Sequence, residues 1–253
     1  MIKLIVNNQE IEAKEDSTLL QAASAMGIVI PTLCFHEALG PHGSCRVCLV
    51  EIVNGARPGL VASCTYPVEE GLVVETNNTK VLKTRRIMVE LLLARCPDST
   101  KIRGLANDLG IAEPRFDKEN ESCILCGLCV RVCREIGINS VGFIQRGTNR
   151  EVTTPFQKPS EVCLGCQACA FLCPTGAIKF EDVAEERKVE KWKTSIKLQR
   201  CSSCSRPFFP EPLQLYLKEK ELLVPENIGL CEVCRRKSLG SRLASILSRK
   251  STV

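Results

Sequence analysis

The chain has 253 residues, enough for one or two ordinary domains, or for three modules if metal cofactors nucleate them. Its 44% hydrophobic and 25% charged residues are the balance of a soluble globular protein, but aromatics reach only 4% while cysteines number 17, so something other than an aromatic core must hold it together. The formal charge of +5 counts every cysteine as a neutral thiol; four tetrathiolate metal sites at about −2 each would bring the total to roughly −3, so the basicity is no argument for nucleic acid.

The opening stretch, MIKLIVNNQEIEAKEDS, shows no apolar segment after a basic start, so a secreted disulfide framework is not expected and the cysteines read as metal ligands in a reducing cytoplasm. No uninterrupted apolar run of about 18 residues is present, and no transmembrane segment is expected. Ile2 to Val6 and Gln9 to Ala13 alternate as short strands around an Asn7-Asn8 turn. Ser17 is placed to cap a helix, TLLQAASAM, that stops at Gly27. Pro31 opens a cysteine-bearing loop, and Cys48 to Val53 and Leu72 to Glu75 read as further strands, so residues 1–78 suggest a β-grasp domain within an α+β chain.

Residues 79–118 read as a helical bridge: a long helix capped at Asn78 or Thr79 and ended by Pro97, then a second from Thr100 to Leu109 closed by Gly110. Residues 119–181 hold an internal repeat, CILCGLCVRVCRE and CLGCQACAFLCPT. The run from Asp182 to Lys193, DVAEERKVEKWK, reads as a solvated helix or linker. The rest of the 182–253 stretch carries two cysteine pairs and a basic amphipathic tail, RRKSLGSRLASILSRKS.

Each half of the repeat has the spacing C-x2-C-x2-C-x3-C, which wraps three thiolates around one 4Fe-4S cluster and sends the fourth elsewhere. In two-cluster bacterial ferredoxins, which this module resembles, the fourth cysteine serves the other cluster. That resemblance implies one cubane on Cys123, Cys126, Cys129 and Cys173 and another on Cys163, Cys166, Cys169 and Cys133. Cys173 is followed by Pro174, as the ferredoxin pattern has it, whereas Cys133 is followed by Arg134, a change in the turn and not in the ligand count.

Cys34, Cys45, Cys48 and Cys64 form the N-terminal set, in IPTLCFHEALGPHGSCRVCLVEI and ASCTYPV. Their spacing departs from the plant-type ferredoxin pattern. It is similar to that of the 2Fe-2S domain of the large iron-sulfur subunit of respiratory complex I and its hydrogenase and formate dehydrogenase relatives. Gly40 and Gly43 in this loop permit close approach of backbone N–H groups to cluster sulfur. The resemblance spans residues 1–181, since that family places a two-cluster module after the β-grasp domain. Its larger members carry a further 4Fe-4S cluster on a histidine and three cysteines in the bridge; here that stretch has Cys96 alone and no histidine, so Cys96 is expected to be a packed or capping thiol. His36 and His42, the two histidines, are expected to hydrogen-bond around the first cluster rather than ligate it.

Cys201, Cys204, Cys231 and Cys234 form two C-x2-C pairs, the layout of a zinc ribbon, with a rubredoxin-like iron site as the rival. No G-x-G-x-x-G turn, P-loop, HExxH or acid-base set is visible, so the chain is expected to pass electrons rather than transform a substrate. The resemblance implies one 2Fe-2S cluster and two 4Fe-4S clusters in an electron-transfer subunit of an NAD(P)-linked oxidoreductase, electron-bifurcating complexes included, and the spacing of the terminal cysteine pairs adds one zinc ion. Implied partners are an NAD(P)H-oxidising FMN flavoprotein, a small 2Fe-2S thioredoxin-like subunit, and a hydrogenase, formate dehydrogenase, second flavoprotein or ferredoxin. The alternative is a redox-sensing, nucleic-acid-binding regulator built on the zinc module and basic tail, whose cations include Arg235, Arg236 and Lys237.

Overall fold

The computed structural model describes residues 1–222 and 229–250, with side chains to residue 244. The sequence begins as expected, with β1 (Ile2–Val6) and β2 (Gln9–Ala13) paired antiparallel across Asn7 and Asn8. Both turn residues take positive φ, the left-handed conformation that asparagine tolerates and a tight hairpin requires. Helix α1 (Leu19–Ala25) is capped by Thr18 and not by Ser17. The Thr18 hydroxyl accepts from the Gln21 backbone while the Gln21 side chain accepts from the Thr18 N–H, a reciprocal box that Ser17 is one residue too early to make.

Three more strands follow: β3 (Leu49–Asn54), β4 (Gly59–Ala62) and β5 (Val73–Glu75). They complete one mixed sheet of order β2-β1-β5-β3-β4, with β5 parallel to β1 at its centre. The inward residues Leu4, Val6, Ile11, Val50, Ile52 and Val74 meet Leu19, Leu20 and Ala23 of α1 in the first core.

Helices α2 (Thr79–Arg95, N-cap Asn78) and α3 (Thr100–Asp108, N-cap Ser99) cover the other side of the cysteine loop. Their Val89, Leu93, Ile102 and Ala106 share a second core with Leu33, Cys34, Cys45 and Val47, and with Ile124, Cys126 and Leu128 of the repeat. The bridge therefore joins the first cysteine loop to the repeat through one continuous apolar cluster. Arg85 of α2 reinforces the joint: its buried guanidinium donates to the carbonyls of Val47 (3.0 Å), Leu49 (2.7 Å) and Thr76 (3.1 Å).

Each half of the repeat supplies a short helix, α4 (Leu128–Glu135) and α5 (Ala168–Phe171), entered through a left-handed residue, Gly127 or Gln167. Between them β6 (Gly142–Ile144) and β7 (Glu151–Thr153) form a small hairpin.

The charge run after the repeat is neither helix nor linker. It forms β8 (Glu181–Val183) and β9 (Glu186–Val189), which continue through a 3-10 turn at Glu190–Trp192 into β10 (Thr194–Arg200) and β11 (Pro207–Pro210), an antiparallel sheet of order β11-β10-β9-β8. The charges are largely exposed while Val189 and Trp192 are buried, and Thr194, Ile196 and Leu198 of β10 point inward at the spacing a half-buried strand requires. Helices α6 (Glu211–Glu219) and α7 (Glu232–Lys250) follow. The basic tail is helical as far as Lys250; Leu239 and Leu243 are exposed, and the side chains of Ile246, Leu247, Arg249 and Lys250 lie outside the described residues. Among the described residues no helix is long and apolar enough to cross a membrane.

Candidate iron-sulfur and metal centres

The first set, Cys34, Cys45, Cys48 and Cys64, is buried where the loop after α1 meets β3 and the turn after β4. Cys34 is the hub: hydrogen bonds from the Cys45 and Cys64 thiols lower its thiol to about 2, and the backbone N–H of Cys45 donates to its sulfur at 3.4 Å. Cys48 is drawn down to about 6 by the Cys64 thiol, while Cys45 and Cys64 are driven up by holding those protons. The thiols are thus linked through Cys34 and Cys64 into one buried cluster, an arrangement that suits thiolate ligation of a metal. His36 accepts from the Ala38 N–H at 3.2 Å and shapes the loop. His42 abuts Gly127, where an added Cβ would lie 3.0 Å from its Nε2, and burial together with the Arg131 charge lowers its pKa.

The eight cysteines of the repeat separate into two cavities, and the division crosses the halves. One is lined by Cys123, Cys126, Cys129 and Cys173, the other by Cys133, Cys163, Cys166 and Cys169. Backbone N–H groups donate to sulfur from Leu125 to Cys123 (3.4 Å), from Ser140 to Cys133 (3.2 Å) and from Ala177 to Cys173 (3.3 Å), the bonds that stabilise thiolate charge. Burial pushes Cys126 to about 11 and Cys129 to about 12, and raises Cys169 further, so these thiols ionise only against a strongly positive partner.

Two donor groups lack any acceptor in the protein. Among the described residues, the buried side-chain N and O atoms without a partner belong to Trp192 and to the guanidinium of Arg131, which follows Cys129 by two residues on α4. A buried unpaired donor costs about 1–3 kcal/mol, more if charged, so their presence fits an anionic, sulfur-rich group nearby.

The third region is built on another scale. Cys201 and Cys204 occupy the turn between β10 and β11, as a ribbon knuckle would, but Cys231 and Cys234 lie at the start of α7 and not in a second hairpin. Their four sulfurs lie within 4.8 Å of one another, with Cys204 and Cys231 3.7 Å apart. A tetrahedron with metal-sulfur bonds of about 2.3 Å has edges of roughly 3.8 Å, so the spacing suits a single ion; a cubane would hold its thiolates farther apart. The Cys231 N–H donates to Cys201 Sγ at 3.3 Å and leads the interactions that lower the Cys201 thiol to about 6.

Comparison with known proteins agrees with this geometry. Residues 1–79 match the family model for a 2Fe-2S iron-sulfur cluster binding domain, and residues 157–179 match that for a 4Fe-4S binding domain. Two segments of the chain thus match iron-sulfur domains. Over 204 residues it is 31% identical to the alpha subunit of the NADPH-Fe(3+) oxidoreductase of Geobacter sulfurreducens, covering 70% of this chain and 24% of that one. Over 219 residues it is 34% identical to a subunit of the NADH-quinone oxidoreductase of Rickettsia prowazekii, covering 76% of this chain and 32% of the other. The chain thus spans a quarter to a third of the length of these curated relatives. It also superposes on a chain from the crystal structure of an NAD+-reducing [NiFe]-hydrogenase in the H2-reduced state, with a TM-score of 0.61, 25% identity and coverage of 88% of this chain and 99% of that one.

Cys96 stands apart from all four sets. It is the C-cap of α2, buried in the second core, and burial followed by the Cys123 charge raises its thiol to about 12. A packed, unreactive thiol is the result.

Proposed function

We propose that this chain is the iron-sulfur relay of a multisubunit NAD(P)-linked oxidoreductase, with a 2Fe-2S cluster on Cys34, Cys45, Cys48 and Cys64. One 4Fe-4S cluster would be held by Cys123, Cys126, Cys129 and Cys173, and the other by Cys163, Cys166, Cys169 and Cys133. The observation that carries the reading is the continuity of the cores: Cys34 and Cys45 share one apolar cluster with Cys126, and Cys129 shares the next with Cys169. Ser44 in the first loop also donates to the Leu125 carbonyl at 3.3 Å, across the seam between the first two sites. This continuity supports an order from the 2Fe-2S domain to the first cubane to the second.

Such clusters accept and release single electrons. The protein's part is to bury the thiolates, aim N–H groups at sulfur and fix the order of the sites. The β-grasp form of the N-terminal domain and the named relatives support an NAD(P)H-oxidising FMN flavoprotein and a small 2Fe-2S subunit as neighbours. A hydrogenase, formate dehydrogenase, second flavoprotein or ferredoxin would stand at the other end. The 3.7 Å sulfur spacing in the terminal module supports one structural zinc ion on Cys201, Cys204, Cys231 and Cys234.

The test is anaerobic purification with metal analysis and stepwise reduction. About ten iron atoms and one zinc per chain are expected, with clusters reduced by NAD(P)H only when the flavoprotein is added. Markedly less iron after reconstitution, or clusters that the flavoprotein fails to reduce, would sink the proposal.

A further inference from the structure

The sheet β8–β11 lies outside both iron-sulfur matches, yet it forms a wall of both cubane cavities through one residue. Trp192 lines the cavity of Cys123, Cys126, Cys129 and Cys173 and also that of Cys133, Cys163, Cys166 and Cys169. It is 3% exposed, and its indole N–H finds no acceptor among the described residues. The surrounding contacts hold the sheet against the second cluster loop: Arg187 donates to the Gly165 carbonyl at 2.9 Å, and Pro210 lies against Gly165, where an added Cβ would meet its Cγ at 3.2 Å. Thr194, two residues on, accepts from the Ser160 N–H at 3.0 Å.

Taking the two cavities to hold cubanes, as above, we propose that Trp192 is the partition between the two clusters and donates its indole N–H to sulfur of one of them, raising that cluster's potential relative to the other. An N–H bond to sulfur stabilises the reduced, more negative state of a cluster. A donor supplied from outside the repeat would set the difference between two sites whose cysteine patterns are the same.

Trp192→Phe keeps the ring in the partition and removes the donor. In the holoprotein it is expected to leave iron content unchanged and to lower the reduced-to-oxidised ratio of one cubane about tenfold at fixed poise, ~59 mV for a one-electron couple. Equal potentials in the variant and the wild type, with full iron, would overturn the role of Trp192 while leaving the cubane assignment intact. Because the chain has one tryptophan, 15N-indole labelling of the wild type gives an independent readout that needs no variant to fold. Pulsed EPR of the reduced protein should show a 15N coupling to one cubane; its absence would refute the contact. Wild-type protein without two cubane signals would remove both the contact and the reading on which it rests.

Discussion

Arg85 brings a positive charge into the interior and directs it at three backbone carbonyls, two of which, Val47 and Leu49, flank Cys48. Replacing it by methionine fills the space and strands those acceptors. An unsatisfied buried group costs about 1–3 kcal/mol, so Arg85→Met should lower stability by about 3 kcal/mol and release 2Fe-2S iron before the other metals, as read by denaturation and by metal analysis. Arg86→Met, at an exposed neighbour that bonds the Leu109 and Gly110 carbonyls, should cost far less. Gly165 makes a second residue-scale case. Its φ of +66° and the approach of Pro210 both disfavour a side chain, so Gly165→Ala should cost about 1–2 kcal/mol and speed hydrogen exchange in β11 and the second cluster loop.

At the scale of elements, the terminal module is a knuckle and a helix start joined by four sulfurs. If that module holds the proposed zinc, a chelator that removes it, or a change of Cys204 to serine, should loosen β10, β11 and the start of α7 while the 2Fe-2S optical spectrum persists; hydrogen exchange and absorption checks suffice. This region also shows where the amino-acid pattern is hard to read. The C-x2-C pairs and the repeat are legible because metal spacing is a local pattern, the N-terminal set and the crossed grouping only through a family resemblance, and the hairpin β1–β2 and helices α2 and α3 from alternation and caps. The strands β8–β10 are not, because DVAEERKVEKWK is dense in charge and its buried apolar residues, Val189 and Trp192, face a neighbour that only the tertiary fold supplies. The signal that reveals them is the clean alternation of Thr194, Ile196 and Leu198 just downstream. Strand β4 escapes for a related reason: four residues, GLVA, carry too little pattern to register alone. The second cysteine pair mimics a ribbon knuckle because C-x2-C reads alike in a turn and at a helix start.

For the whole molecule, the crossed cavities make a prediction that neither half of the repeat would make alone. Cys173→Ser, in the second motif, should remove the cubane seated on the first motif and about four iron atoms; Cys133→Ser should do the converse, with EPR distinguishing which signal is lost. If each serine abolished instead the cluster of its own motif, the crossing would be wrong. The same crossing sets a timetable for biogenesis. As the chain leaves the ribosome, the cavity of Cys133, Cys163, Cys166 and Cys169 has all four sulfurs once Cys169 has emerged, whereas the cavity begun at Cys123 must wait for Cys173. The site that starts first is completed last, and both stay open on one side until Trp192 follows. A nascent chain stalled before Cys173 would thus expose three unpaired thiols of the first motif.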